Sequence, residues 1–254
     1  MNASRLAVVT GGASGIGREI AISLARAGWD VAVTYLQDRE AAGTLAAELS
    51  AENRRLWSAP CDVGIRAEVE SFFDGALAHF GCAPELLVNN AGVQTWSPLL
   101  ELEEARWDQV IQTNLKGCFL TTQKAARLMV REGRRGAIVN IGSGCNKVAF
   151  PNLVDYTASK GGIEMFTKSA AIELGPHGIT VNCVAPGAIE IERTRRENPD
   201  YASTWARITP LRRVGRPEDV ANAVLFFADR RSDFITGQTL WVDGGAFAVP
   251  NWPY

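Results

Sequence analysis

The sequence predicts an α/β domain, a doubly wound parallel sheet with helices on both faces. Three observations carry that expectation. Short apolar runs rich in β-branched residues alternate with longer helical patterns along the chain. The runs are almost continuously apolar, as strands covered on both faces must be. A glycine-rich turn joins the first run to the first helix. In order, residues 6–10 (LAVVT) read as a strand, 16–27 as a helix, 31–35 (VAVTY) as a strand and 39–50 as an Ala/Glu/Leu helix. Further buried runs lie at 85–89 (ELLVN), 137–141 (AIVNI), 179–184 (ITVNCV) and 239–242 (TLWV). Helical patterns at about 65–80, 103–131, 156–174 and 217–228 separate most of them, giving right-handed βαβ units. No linker, repeat or low-complexity segment intervenes, so residues 1–254 read as one domain. Residues 187–210 (GAIEIERTRRENPDYASTWARITP) break the rhythm, charged and punctuated by Pro199 and Pro210. So long a connection reads as a mobile lid over a binding site.

Composition excludes several classes. Of 254 residues, 46% are hydrophobic and 21% charged, an ordinary globular balance. Lys and Arg number 26 against 28 acids, a formal charge of −2, so a nucleic-acid surface is not expected. No apolar stretch is long enough for a membrane span, and the N-terminus lacks a signal-peptide pattern. Five cysteines without a C-x-x-C pair point to reduced thiols in a cytoplasmic protein. His79 and His177 stand at no ligand spacing, so no metal is expected. Acid–base chemistry must then come from groups other than histidine.

Thr10-Gly11-Gly12-Ala13-Ser14-Gly15-Ile16-Gly17 joins the first strand to the first helix. A dinucleotide's pyrophosphate needs backbone N–H groups and the positive end of a helix dipole. Glycine is needed where a ligand meets the backbone. Together with Asn89-Asn90-Ala91-Gly92, Asn114, Ser143, Tyr156-x-x-x-Lys160, Pro186-Gly187 and Asp243-Gly244-Gly245, this loop resembles the short-chain dehydrogenases/reductases. The resemblance spans nearly the whole chain. It implies a Rossmann-like sheet of about seven strands and an NAD(P)-dependent enzyme acting on CH–OH donors. Gly11, Ser14, Gly15, Ile16 and Gly17 would meet the pyrophosphate, Asp62 and Val63 the adenine, and Asn89, Ala91 and Gly92 the adenosine side. Pro186, Gly187 and Ile189 would border the nicotinamide, and Tyr156 and Lys160 would also touch the cofactor. A homotetramer is implied, with the 162–174 helix face and the last strand in contacts.

An NAD 2′-hydroxyl is usually held by an acid at the end of the second strand. That position is Tyr35, and Asp38, three residues on, reads as a helix N-cap. Losing the acid removes repulsion against a 2′-phosphate, which favours NADP over NAD. The basic residue that many NADP-dependent relatives carry in the glycine loop is replaced by Ser14, leaving Arg39 as the nearest cation. A second departure is Ile191, where many relatives place a threonine against the nicotinamide; Thr194 is the nearest substitute.

Tyr156 and Lys160, four apart, share one helix face. A phenol is a poor base at neutral pH, and a neighbouring cation stabilises its phenolate. Tyr156 is the expected proton carrier, and Ser143, just past a strand, the expected donor to the substrate oxygen. By resemblance, Asn114 kinks its helix and holds a water that relays protons through Lys160. The small-molecule substrate is a sugar, a polyol or a 3-oxoacyl-type ketone. Cys145, Trp96 and Trp205 are candidate substrate contacts, with Trp252 in the tail 247–254. Arg193, Arg195 and Arg196 could meet an acidic substrate. The alternative function is a non-enzymatic NAD(P) sensor on the same fold.

Overall fold

Successive residues of β1 (Leu6–Val9) point to opposite faces of the sheet, and all four are buried. Ala7 and Val9 pack on one core layer, Leu6 and Val8 on the other. The computed structural model describes residues 5–249, so Trp252 and the end of the tail lie outside the described residues. The remaining strands are β2 (Asp30–Tyr35), β3 (Leu56–Pro60), β4 (Leu86–Asn89), β5 (Gly136–Ile141), β6 (Ile179–Pro186) and β7 (Thr239–Val242). They form one seven-stranded sheet in the order β3-β2-β1-β4-β5-β6-β7, every pair parallel. The chain thus winds outward one way from β1, returns to its other side and winds outward again. The switch falls between β1 and β4, where such sheets open a crevice at their carboxyl edge.

Helices α1 (Gly15–Arg26), α2 (Arg39–Ala51), α3 (Arg66–Phe80), α6 (Val154–Leu174) and α9 (Pro217–Ala228) stand within two residues of the expected positions. One core layer joins Ile20 and Leu24 of α1 to Leu45 of α2 and Val224 and Phe227 of α9. The other joins Phe72 and Phe73 of α3 to Met129 and Ala170.

Three features depart from the expected pattern. The residue pattern shows six strands, while β3 (LWSAP) goes unread because it is an edge strand. Its side chains are part-buried and it ends on Pro60, as edge strands tolerate. The single helix expected at 103–131 is α4 (Glu104–Val110), a π-helical turn at Ile111–Lys116, and α5 (Gly117–Arg131). The segment 187–210 carries two short helices, α7 (Glu192–Glu197) and α8 (Tyr201–Ile208).

Candidate active site

Parallel pairing brings the loops after β1, β2, β3, β4, β5 and β6 to one edge of the sheet. Each carries sequence-predicted residues. In the first loop the Gly11 N–H donates to Thr34 Oγ1 at 2.8 Å and the Gly12 N–H to the Thr34 carbonyl at 3.0 Å. Thr10 Oγ1 accepts from the N–H groups of Asn90 and Ala91, both at 3.0 Å. Asn90 Nδ2 returns bonds to the Thr10 and Gly11 carbonyls at 3.0 and 3.1 Å. The loop is therefore fastened to β2 and β4 before the helix begins.

The glycines divide their work. Gly15 has φ +54°, and a Cβ there would meet nothing nearer than Ile191 at 3.6 Å, so space is open above it. Gly12 and Gly17 serve close packing: a Cβ would sit 2.7 Å from Val33 Cγ1 in the first case and 2.3 Å from Asn90 Nδ2 in the second. Ser14, exposed at the N-cap of α1, makes no side-chain capping bond. The first-turn N–H groups of α1 have no intrahelical partners and face an open cradle, which fits a pyrophosphate.

At the end expected to hold the adenosine, Tyr35 closes β2 and Arg39 opens α2, exposed. Asp38 Oδ1 accepts from the Ala41 N–H at 2.9 Å, so its carboxylate caps α2. Asp62 Oδ1 accepts from the Gly64 N–H at 2.8 Å, and Val63 is buried beside Gly117. Ala91 is part-buried and Gly92 exposed beside Asn114, whereas the Asn89 side chain turns inward. Its amide donates to Thr122 Oγ1 at 2.9 Å and Asn140 Oδ1 at 2.8 Å, and its oxygen accepts from Thr121 at 2.6 Å. Asn140 then donates to Thr167 Oγ1 at 2.9 Å.

At the other end, α6 presents Tyr156 and Lys160. Lys160, 4% exposed, donates to the Ile141 carbonyl at 2.7 Å, and its Nζ lies 5.4 Å from the Tyr156 ring centre. Two of its three ammonium donors remain for other partners. Ser143 Oγ accepts from the Cys145 N–H at 3.2 Å, which leaves the hydroxyl proton able to donate. Asn114, 1% exposed within the π-helical turn, accepts from the Val93 N–H at 2.8 Å. It also donates to the Val93 carbonyl at 2.9 Å and to Ser159 Oγ at 3.0 Å. A mid-helix asparagine usually faces solvent; this one stitches the β4 loop to α6. Asp155, 1% exposed, adds a second stitch through Thr95 Oγ1 and accepts from the Tyr156 N–H at 2.7 Å.

Pro186 ends β6, and Gly187 and Ile189 follow it, with Ile189 buried. Thr194 Oγ1 accepts from the Ile191 N–H and donates to its carbonyl, both at 2.9 Å, so its hydroxyl is spent within the start of α7. Cys145 is buried, whereas Trp96 is 64% exposed at the rim and Trp205 lies part-buried on α8. Burial pushes the Cys61 and Cys118 thiols up to about 12 and Cys183 up to about 11, far from reactive thiolates. Among the described residues no cluster of His, Cys, Asp and Glu could hold a metal, and no helix is long and apolar enough to cross a membrane.

Residues 11–246 match the family model described as Enoyl-(Acyl carrier protein) reductase. The chain is 40% identical to the 3-oxoacyl-(acyl-carrier-protein) reductase FabG of Staphylococcus aureus over 97% of its own length and 100% of the relative's. The chain belongs to the short-chain dehydrogenases/reductases. It is also 40% identical to the (2S)-(R)-hydroxy(phenyl)methylsuccinyl-CoA dehydrogenase subunit BbsD of Thauera aromatica, over 95% of this chain and 96% of that one. A gluconate 5-dehydrogenase from Burkholderia cenocepacia, solved with NADP and tartrate, superposes with TM-score 0.90 at 35% identity, covering 97% and 96% of the two chains. This short-chain dehydrogenase/reductase is an NAD(P)-dependent oxidoreductase, exchanging hydride between nicotinamide and a carbonyl or secondary-alcohol carbon. These relatives lend no support to the non-enzymatic sensor.

Three residues outside the expected site set shape this site: Asn90, Thr95 and Asp155. Asn90 stood inside the quoted Asn89–Gly92 motif, and its amide was the available signal. Thr95 and Asp155 act on each other across 60 residues of sequence, beyond the reach of local patterns.

Proposed function

We propose that this short-chain dehydrogenase/reductase prefers NADP to NAD, with Tyr156, Ser143, Lys160 and Asn114 as its catalytic group. The observation carrying the cofactor reading is the missing acid at the end of β2. Tyr35 stands there, the Asp38 carboxylate is engaged as a cap, and Arg39 is exposed beside them. The NADP in the related gluconate 5-dehydrogenase structure supports it. The expected result is a higher kcat/KM with NADP than with NAD. Arg39→Ala should lower the NADP value about tenfold, as for loss of one charge-assisted phosphate contact, and leave the NAD value within twofold. Equal or better turnover with NAD overturns the preference.

When bound, the nicotinamide supplies or accepts the hydride at the substrate carbon. The Tyr156 hydroxyl gives its proton to the substrate oxygen in reduction and takes one in oxidation. The Ser143 hydroxyl donates to the same oxygen and stabilises charge developing there. Lys160, held by the Ile141 carbonyl, sets a positive charge where phenolate forms. Asn114 keeps the β4 loop and α6 in fixed relation at the point where protons enter. The segment 187–210 acts as the lid of a single catalytic domain.

The substrate is a small carbonyl or alcohol compound. A 3-oxoacyl ketone is favoured by the S. aureus relative, a sugar acid by the gluconate dehydrogenase and a phenyl-bearing alcohol by the T. aromatica subunit. We further read the enzyme as a cytoplasmic homotetramer. Met165 and Ile172 on α6, 60% and 77% exposed, and Leu240 on β7, 38% exposed, supply apolar contact surface. Light scattering should give four chain masses; a monomer mass overturns the assembly.

A further inference from the structure

Five aromatic rings from four separate segments form a row along the carboxyl edge of the sheet. Tyr201 and Trp205, four apart on α8, lie 6.2 Å from centre to centre. Trp205 meets Phe150, from the loop before α6, at 6.5 Å, and Phe150 meets Phe247, from the loop after β7, edge to face at 6.1 Å. Phe247 meets Trp241 of β7 at 6.4 Å. None of the five is fully buried and none is fully exposed, so each keeps some apolar surface open to solvent.

The row touches the reaction centre at two points. Phe247 lies against Gly144, next to Ser143, so closely that a Cβ on that glycine would stand 2.3 Å from its Cζ. At the other end Tyr201 opens α8 close to the backbone of Ile189, and the Tyr156 phenol is among the groups whose charge bears on it. Burial pushes Tyr201 up to about 12, so it stays an uncharged part of the wall at working pH. Phe150 and Trp205 span the interval between the two points.

We propose that this row is the substrate wall and that it selects an aryl ketone, or the matching secondary alcohol, whose flat ring adjoins the reacting carbon. The inference rests on the Tyr156–Ser143 reading of the site. A flat ring fits offset or edge-on against such faces. A polyol needs partners for several hydroxyls, while the row offers one phenol and two indole N–H groups among five ring faces. Nor does the lid offer a free basic patch for an anionic substrate or carrier. Arg193, Arg195 and Arg196 stand 3.9, 3.0 and 3.3 Å from Glu197, Glu190 and Glu192.

The test compares reduction of ethyl benzoylacetate and ethyl acetoacetate, which differ by phenyl against methyl, with gluconate oxidation as the polyol arm. The expected kcat/KM for benzoylacetate is at least tenfold above that for acetoacetate and above that for gluconate. In Trp205→Ala the benzoylacetate-to-acetoacetate ratio should fall at least tenfold; Phe150→Leu, a milder change, should lower it at least threefold. Acetoacetate or gluconate turned over as well as benzoylacetate, or an unchanged ratio in both variants, overturns the role of the row and leaves the Tyr156 reading standing. Unimpaired turnover by Tyr156→Phe overturns both.

Discussion

Tyr156→Phe is expected to lower kcat by about 10²- to 10⁴-fold, the usual weight of a positioned general acid–base. The substitution removes one oxygen and leaves the ring, so Lys160 keeps its bond to the Ile141 carbonyl and Asp155 keeps the Tyr156 N–H. Dinucleotide affinity, read by fluorescence titration, should stay within about threefold. That split between chemistry and binding separates a proton carrier from a residue that merely shapes the pocket. Turnover within tenfold of the parent would remove Tyr156 from the mechanism.

Gly17→Ala is expected to damage the opposite end of the site. Its Cβ would sit 2.3 Å from both Asn90 Nδ2 and the Gly11 carbonyl oxygen, which are bonded to each other at 3.1 Å. Relief requires parting that pair, so the strain falls on the phosphate loop itself. Overpacking of this kind costs about 1–3 kcal/mol. The melting temperature should drop by about 3–10 °C and the dinucleotide Kd rise about tenfold or more. Gly43→Ala is the control, because a Cβ there meets nothing within 4 Å inside α2. It should gain about 0.4–1 kcal/mol by restricting the unfolded chain. An unchanged Kd in Gly17→Ala would show that the glycine is dispensable to the cradle.

The parts of this molecule legible in the sequence are those encoded by local pattern. LAVVT and ITVNCV are buried on both faces and read as strands for that reason, and DYTASK sets the tyrosine and lysine on one helix face. β3 was opaque because an edge strand needs no continuous apolar run, and LWSAP has none. The π-helical turn at IQTNLK contains neither Pro nor Gly, so the residue pattern runs through it and only the family resemblance placed a kink at Asn114; the turn is tied to Val93 and Ser159, both distant in sequence. Asp38 was readable as a cap because capping is local, whereas the inward turn of Asn89 depends on Thr121, Thr122 and Asn140. The aromatic row was visible only as scattered rings until four separate segments converged.

Asn89 and Asn140 stand directly opposite each other where β4 and β5 pair. A slip of one residue would bring an amide against Val88 or Ile141 and strand it among apolar neighbours, a heavy penalty in a low-dielectric interior. The two amides therefore act as a keyway that permits only one vertical alignment of the central strands. Ala91 is two residues beyond one half of the key and Ser143 three beyond the other. The same lock that rejects misaligned chains during folding thus sets the relative heights of the Ala91 loop and the Ser143 hydroxyl, the two groups proposed to meet coenzyme and substrate.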